Sequence, residues 1–351
     1  MTNTLDSTTT FKLDNIKAGK YLMIALKDAN GDFKFQQKLD KIGFVKNFIT
    51  VPNDTVYELK LFKEELDFKI IRPKYLSGQK IAFGYEGDYK DTQIKLLTEA
   101  PSDFEKRITK APKTDSLLYW FKPKIASDSL IFLAGKKELD TFNVRIRDIE
   151  KDSLTLITEP KGTIKYEEDF YIEGSVPFTN IASEKITILD KDSTKVAFTT
   201  KLDSLTNRFI FSFDKTESNN YKIEVLPEAF TDFFGNTNDS LNVSLRTKTL
   251  SDFGNARVIL NNVNYPVIVQ LTDEKGENVK YEKYATEDTP IDFNNLTSGN
   301  YVLRVIVDTN KNEKYDTGSF LLKRQPERVS YFPKEIEIRA GWDEIVTFTL
   351  E

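Results

Sequence analysis

Hydrophobic and polar residues alternate along most of the chain, in short runs separated by Asp, Asn, Gly, Ser and Lys. A period of two is typical of strands that bury one face, and aromatic and β-branched side chains suit such strands. The clearest runs are residues 144–147, 186–189, 209–213, 221–225 and 336–339. Strands at this spacing, with almost no helical periodicity, predict an all-β protein made of tandem β-sandwich domains.

The phrase Asp-Ser-Leu occurs four times where an apolar run begins, with its Asp at positions 115, 128, 152 and 239. Asp and Ser favour turns because their side chains bond to nearby backbone groups, and the Leu starts the apolar run. The phrase therefore predicts four junctions between a turn and a strand.

An internal repeat joins the two ends of the sequence, because residues 11–35 align without gaps with residues 291–315. Two copies of one module therefore bracket the chain. About 38 residues with two strand-like runs, 256–260 and 266–271, precede the second copy, whereas ten polar residues precede the first. We expect the first copy to lack strands that the second has. Residues 1–62 should then be the least stable part, unless they dock on residues 63–157 or borrow a strand from another molecule.

The repeat resembles the transthyretin-like, or carboxypeptidase-regulatory-like, β-sandwich. In that family a phrase ending in Gly-x-Tyr leads a strand into a loop rich in Asp and Asn, as Gly19, Tyr21 and the loop at 28–36 do here. Residues 158–249 resemble the bacterial Ig-like domains of surface and S-layer proteins, through the phrase at 221–236. The whole order is similar to the C-terminal part of Bacteroidota surface lipoproteins, which implies a location at the bacterial cell surface or outer membrane.

These patterns together predict four domains. Residues 1–62 would be a partial transthyretin-like β-sandwich and residues 63–157 a β-sandwich of unassigned type. Residues 158–249 would be a bacterial Ig-like domain and residues 250–351 a second transthyretin-like β-sandwich.

Composition excludes several function classes. The chain has no Cys and no His, so a Cys nucleophile, a Ser-His-Asp triad and a zinc site with His or Cys ligands are impossible within it. A net charge of −5 and the lack of a basic run argue against a nucleic-acid partner. No apolar run approaches the about 18 residues of a membrane-spanning helix. The first residues do not match a signal peptide, and without Cys no lipid-attachment residue is expected in this sequence.

Two loops rich in Asp and Asn are candidate calcium sites, because a hard cation needs several oxygen ligands around one centre. In an EF-hand loop, the sharp-turn Gly would fall at Phe33 and Glu313, and the closing Glu at Leu39 and Ser319. The alternative is a hairpin loop in which Asp and Asn bond to their own backbone. The predicted ligands are Asp28, Asn30 and Asp32 in one loop, and Asp308, Asn310 and Asp316 in the other.

A second candidate lies near the C-terminus, where Arg, Tyr and Trp, the residue types that anchor interfaces, occur close together. The alternative is that Phe332 and Trp342 pack the last sandwich while the arginines pair with acids. A third candidate, Tyr119-Trp120-Phe121, would be either core or a carbohydrate platform. The predicted docking patch consists of Arg328, Tyr331, Phe332, Arg339 and Trp342.

We therefore expect a non-enzymatic scaffold or protein-interaction segment at the cell surface, with a protein partner and no cofactor except calcium. One alternative is a carbohydrate-binding or adhesion module, which an exposed aromatic platform would favour. The other is a hydrolase with carboxylate chemistry, which two facing carboxylates with a raised pKa would favour.

Overall fold

The structure is a computed structural model that describes residues 10–147, 149–150 and 152–350. Strands make up 48% of it and helix 2%, the helix being two 3-10 turns, Ser183–Lys185 and Leu250–Asp252. The prediction of an all-β protein of tandem sandwiches is therefore confirmed. The described residues include no helix with the length and apolar character to cross a membrane.

The chain forms two compact units. The terminal unit combines Met1–Leu66 with Gly254–Glu351, and the central unit is Asp67–Phe253. The four domain boundaries drawn from the sequence stay predictions.

The first copy of the repeat, in the terminal unit, forms two antiparallel ribbons and no closed sandwich among the described residues. One ribbon pairs β1 (Gly19–Tyr21) with β4 (Ile49–Val51), and the other pairs β2 (Ile24–Lys27) with β3 (Lys41–Phe44). Downstream, Phe62 forms a single bridge with Ile42.

The central unit begins with a sandwich built on alternating strands. The sequence Lys-Ile-Ala-Phe-Gly-Tyr-Glu of residues 80–86 buries Ile81, Phe83 and Tyr85 on one face, as a period of two requires. One sheet has the order β5-β7-β10-β9, with β6 also on β7, and the other has the order β12-β11-β8. The strands are β5 (Lys69–Ile70), β6 (Lys74–Ser77), β7 (Lys80–Glu86), β8 (Gln93–Leu96), β9 (Glu105–Lys110), β10 (Ser116–Lys122), β11 (Ser129–Gly135) and β12 (Leu139–Arg145).

The second sandwich of the central unit has a core rich in Phe, in which Phe170, Phe211 and Phe230 are fully buried. Its sheets have the orders β13-β15-β19-β18 and β14-β22-β20-β17, and β16 pairs with β21. The strands are β13 (Leu156–Glu159), β14 (Gly162–Thr163), β15 (Phe170–Gly174), β16 (Phe178–Ile181), β17 (Ile186–Leu189), β18 (Phe198–Asp203), β19 (Arg208–Phe213), β20 (Asn220–Val225), β21 (Phe230–Asp232) and β22 (Leu241–Arg246).

Three of the four Asp-Ser-Leu junctions are confirmed, because β10 and β11 begin at the Ser and β22 at the Leu. The junction at Asp152 is wrong, since β13 begins only at Leu156. There the Asp152 carboxylate accepts hydrogen bonds from the Ser77 hydroxyl, at 2.8 Å, and from the Lys80 ammonium. These long-range bonds hold Asp152 beside the first sandwich.

The second copy of the repeat belongs to a seven-stranded sandwich in the terminal unit. Its sheets have the orders β26-β23-β29, in which β23 and β29 are parallel, and β25-β24-β27-β28. The core includes Val258, Phe293, Leu303 and Val305. The strands are β23 (Phe253–Asn261), β24 (Val267–Thr272), β25 (Val279–Ala285), β26 (Ile291–Thr297), β27 (Gly299–Val307), β28 (Val329–Ile338) and β29 (Asp343–Thr349).

The two copies share their strand register. Gly19 faces Val51 as Gly299 faces Ile338, and Ile24 faces Phe44 as Arg304 faces Tyr331. The offset between equivalent residues is therefore 280 before the Asp/Asn loop and 287 after it (299 − 19 and 338 − 51). Seven extra residues consequently lie in the second copy between its Asp/Asn loop and β28.

Candidate functional site

The first Asp/Asn loop is held together by its own carboxylates. Asp28 accepts hydrogen bonds from the backbone N–H groups of Gly31, at 2.8 Å, and Phe33, at 2.7 Å. The hydrogen bond from Phe33 is the main cause that lowers the pKa of Asp28. The bond from Gly31 lowers it further and burial opposes both, so the pKa lies below its ordinary value. Asp32 accepts from the N–H of Lys34, at 2.8 Å. The structure therefore brings Asp28, Asn30 and Asp32 into one turn.

The second loop repeats this arrangement. Asp308 accepts hydrogen bonds from the N–H groups of Asn312, at 3.2 Å, and Glu313, at 2.8 Å. Asp316 accepts from the side-chain amides of Asn310, at 2.5 Å, and Asn312, at 2.7 Å. Burial is the largest single effect on Asp308 and works against its ionisation, but the hydrogen bonds from Glu313, Tyr284 and Asn312 together outweigh it, so the pKa of Asp308 is lowered. Asp308, Asn310 and Asp316 therefore also share one turn.

The sharp turn of each loop lies where an EF-hand carries Gly. Phe33 and Glu313 occupy that position with φ of 60° and 62°, in the left-handed region that most residues other than Gly avoid. The carboxylate bond to each of these N–H groups stabilises the turn without a Gly.

A buried carboxylate closes each loop, and the candidate ligand sets drawn from the sequence contain neither. Asp40 accepts from the N–H groups of Ala29, at 2.9 Å, and Gln36, at 2.6 Å. Glu327 accepts from those of Thr309, at 2.8 Å, and Asp316, at 3.0 Å. Asp40 and Glu327 are equivalent at the offset of 287, so a gapped alignment of the two copies would have found the pair.

Both loops are turns rich in oxygen atoms, and their carboxylates accept hydrogen bonds from backbone N–H groups of the same loop. Among the residues that the structure describes, no group of three or more His, Cys, Asp or Glu is placed to hold a metal ion. A cation in either loop would therefore need the amide oxygens of Asn30, or of Asn310 and Asn312, as ligands beside the carboxylates. Calcium binding stays a prediction.

The segment that carries the seven extra residues of the second copy contains a short hairpin, residues 319–324, closed by a bridge between Ser319 and Arg324. This docking hairpin lies against the first copy. Phe320 packs with Phe44 and Phe62, and its N–H donates to the Glu64 carboxylate at 2.5 Å. The first copy thus docks on the second copy within the terminal unit.

Two further hydrogen bonds flank the docking hairpin. The Thr317 hydroxyl donates to the Lys63 carbonyl at 2.6 Å, and the Gln325 side chain donates to the Phe44 carbonyl at 2.8 Å. Gly318 leaves no room for a side chain, because a Cβ there would lie 2.5 Å from the Phe62 ring. The docking hairpin is therefore closely packed against the first copy.

The predicted docking patch divides in two. Phe332, Arg339 and Trp342 line one groove of about 440 Å³ between β28 and β29, the Trp342 groove. Arg328 and Tyr331 do not line it, although both are exposed. Phe332 is half-buried and meets Phe348 edge to face at 5.5 Å. Phe332 therefore also packs in the last sandwich, as the alternative interpretation predicted.

Trp342 is the exposed aromatic of the groove, with 60% of its surface accessible. Arg339 lies over the indole ring at 5.3 Å and forms a two-pronged ion pair with Glu337, at 2.8 and 2.9 Å. This pair raises the pKa of Arg339 and lowers that of Glu337. Ile345, 65% exposed, lies in the same groove. The strands β28 and β29 on either side are both sheet edges among the described residues.

The run Tyr119-Trp120-Phe121 is buried on both faces. Tyr119 and Phe121 belong to the core of the first sandwich. Trp120, on the other face of β10, packs against Val176 and Phe233 of the second sandwich. Its indole N–H donates to the Thr109 hydroxyl at 3.0 Å. This run is therefore core and an interface within the central unit, and it offers no platform for a sugar.

Glycoside hydrolysis uses two carboxyl groups with different roles. A general acid in such an enzyme needs a raised pKa. In the part of the chain that the structure describes, every carboxyl group with a clearly displaced pKa is displaced downward, including Asp203, Asp292 and Glu337. Burial of Asp203 works against ionisation, but the hydrogen bonds from Thr206 and Leu205 and the charge of Arg208 together outweigh it. Arg257 lowers the pKa of Asp292.

No protein-family model matches the chain, and no curated protein matches it. Among solved structures, a Bacteroides ovatus surface protein of a mixed-linkage glucan utilization locus, solved with a heptasaccharide, is 11% identical. That match covers 92% of this chain and 81% of the other, with a TM-score of 0.27. The major pilin subunit of Bacillus cereus is 11% identical over 95% of this chain and 94% of its own, with a TM-score of 0.19. Scores this low carry no argument about function, and the chain resembles these proteins only in being built of β-domains.

Proposed function

We propose that this chain is a non-enzymatic protein-interaction segment of a bacterial cell-surface protein, and that the Trp342 groove is its contact surface. The observation that carries the proposal is the exposed indole of Trp342, held by Arg339 beside exposed Ile345 between two edge strands. Trp and Arg dominate the binding energy of protein interfaces because they bury a large area while making directed contacts.

The transthyretin-like and Ig-like domain types, and an accessory role in an outer-membrane complex, are part of this proposal. They are supported by the Asp/Asn-loop repeat, by the phrase at residues 221–236 and by the resemblance to Bacteroidota surface lipoproteins.

Affinity capture from the native bacterial membrane tests this function. The wild-type chain should retain a specific protein, and Trp342→Ala should weaken its capture by about tenfold or more, as expected for an interface hot spot. Leu226→Ala is the matched control, because Leu226 is also exposed but lies in the central unit. Equal capture by wild type and Trp342→Ala would contradict the role of the groove.

A carbohydrate-binding role is the second candidate, because an exposed indole ring is also a stacking surface for a sugar. The chain has two Trp residues, and Trp120 is buried. Indole fluorescence that responds to a ligand at the surface would therefore come mainly from Trp342. A saturable change on titration with soluble polysaccharides, lost in Trp342→Ala, would favour this candidate over a protein partner.

A further inference from the structure

The first Asp/Asn loop contains the single Asn-Gly step of the sequence, Asn30-Gly31. Both residues are exposed. An asparagine before a glycine is chemically labile at neutral pH, because the backbone nitrogen of the glycine can attack the side-chain carbonyl carbon of the asparagine. Glycine permits this attack because it has no Cβ to crowd the approach. The step can therefore change covalently without any enzyme.

The fold of the loop bends the Asn30 side chain back over the glycine. Its Oδ1 atom accepts a hydrogen bond from the N–H of Asp32 at 3.2 Å, which closes a ring of atoms across Gly31. The same N–H stabilises the negative charge that Oδ1 acquires when its carbon is attacked. A Cβ on Gly31 would meet no atom within 4 Å, so no other part of the chain blocks that side of the glycine.

The second loop repeats this turn but carries a side chain on the attacking residue. Asn310 is also exposed and accepts the N–H of Asn312 at 3.2 Å. Lys311 takes the place of Gly31, and its φ of 61° resembles the 73° of the glycine. The Asn310 amide nitrogen is also held by Asp316 at 2.5 Å. The second loop therefore serves as an internal comparison in which the attack is hindered.

We propose that Asn30 is a site of self-modification, which Gly31 converts to aspartate and isoaspartate, while Asn310 stays unchanged. The Gly31 nitrogen forms a bond to Cγ of Asn30, and the bond from Cγ to Nδ2 breaks. The proton of the Gly31 N–H leaves with that nitrogen as ammonia, and a succinimide ring remains. Water then opens the ring at either carbonyl, which gives aspartate or an isoaspartate whose main chain runs through the former side chain.

The conversion changes the charge of the first loop. The Asn30 amide donates to the Asp32 carboxylate at 3.3 Å, whereas a carboxylate at position 30 would repel Asp32. The loop thus gains one negative charge and loses one of its internal hydrogen bonds. The proposal does not involve the Trp342 groove, so it and the proposed function fail separately.

Incubation of the full-length protein at neutral pH, followed by trypsin digestion and mass spectrometry at successive times, tests the proposal. Trypsin cuts after Lys and Arg, so Asn30 and Asn310 fall on separate peptides, residues 28–34 and 305–311. The fraction of the first peptide with OH in place of NH2 should rise about tenfold or more faster than that of the second. Chromatography should resolve an aspartate and an isoaspartate form, with the Asn30→Asp protein as the standard for the first.

Exchange of the two attacking residues tests the cause. Gly31→Lys should slow the conversion of Asn30 about tenfold or more, and Lys311→Gly should speed that of Asn310 by a similar factor. Both variants should keep their turns, because Lys311 already adopts this backbone conformation and glycine does so freely. If Gly31→Lys fails to fold, Lys311→Gly still decides the question.

A synthetic peptide of residues 28–34 is the positive control, because its Asn-Gly step is free of the fold. No conversion of Asn30 in the folded protein, over a time in which the free peptide is converted, would overturn the proposal, since the loop would then protect Asn30. An unchanged rate at Asn310 in Lys311→Gly would also overturn it, because the glycine would not be what separates the two loops.

Discussion

The ring of Phe320, in the second copy of the repeat, meets the ring of Phe44, in the first copy, edge to face with centroids 5.3 Å apart. The contact joins residues 276 positions apart (320 − 44) and forms the centre of the small cluster around Ile42 and Phe62. The seven residues by which the second copy exceeds the first thus serve to hold the first copy in place.

Phe320→Ala should release this contact. Because Phe320 is partly buried, we expect a loss of about 1–3 kcal/mol in the free energy that holds residues 35–62 in place. Faster hydrogen exchange of the backbone amides of Ile42 and Phe62 would measure this loss of stability. Leu321→Ala is the control, because Leu321 is adjacent and 85% exposed, and it should change stability by less than about 0.5 kcal/mol. Equal effects of the two substitutions would contradict the docking.

Trp120→Ala should destabilise the central unit by about 3–5 kcal/mol, because it removes a fully buried indole and its hydrogen bond to Thr109. Denaturant unfolding of the full chain measures this. The other tryptophan supplies the comparison, since Trp342→Ala should cost less than about 1 kcal/mol. A large loss from Trp342→Ala would mean that Trp342 is part of the core and not of a contact surface.

The lowered pKa of Asp308 predicts acid sensitivity of the second loop. A carboxyl group whose folded-state pKa lies below its unfolded value, about 3.9, stabilises the fold above that value. The contribution is lost as the pH falls through the folded pKa. Asp308→Asn should therefore lower the melting temperature at neutral pH, and its difference from wild type should shrink in acid. A difference that does not depend on pH would show that the carboxylate charge is not the cause.

Calcium should raise the melting temperature if either loop binds it, because a ligand of the native state stabilises that state. Asp32→Ala and Asp316→Ala should then each remove the part of the rise that their loop supplies. Magnesium should have a smaller effect because it prefers a rigid octahedral site that keeps several waters. Identical melting curves in millimolar calcium and in chelator would leave both loops as hairpin turns that bind their own backbone.

Local pattern was sufficient for the fold class. Alternation with a period of two predicted β17 at its observed bounds and β20 to within one residue at its start, because the burial of one strand face is visible in the spacing of neighbouring residues. The repeat was visible for the same reason, since Asp28 and Asp308 act on N–H groups within five residues of their own position.

Tertiary structure decided which aromatic side chains are exposed to solvent and which are buried. Trp120 lies within β10 and Trp342 directly before β29, yet one is covered by Val176 and Phe233 and the other lies in an open groove. The sequence placed Trp120 on the opposite strand face from Tyr119 and Phe121, but it could not show what would cover that face. Burial of such a residue depends on a neighbouring domain, and no local period encodes that neighbour.

The same limit explains the closing carboxylates and the docking of the first copy. Glu327 follows its loop eleven residues after Asp316, beyond the docking hairpin, so a gapless alignment could not pair it with Asp40. The repeat alone predicted that the first copy lacks strands. Only the folded chain showed that Phe320 supplies a contact from 276 residues away. Sequence determines what each strand can bury, and the long-range assembly of the chain determines whether it is buried.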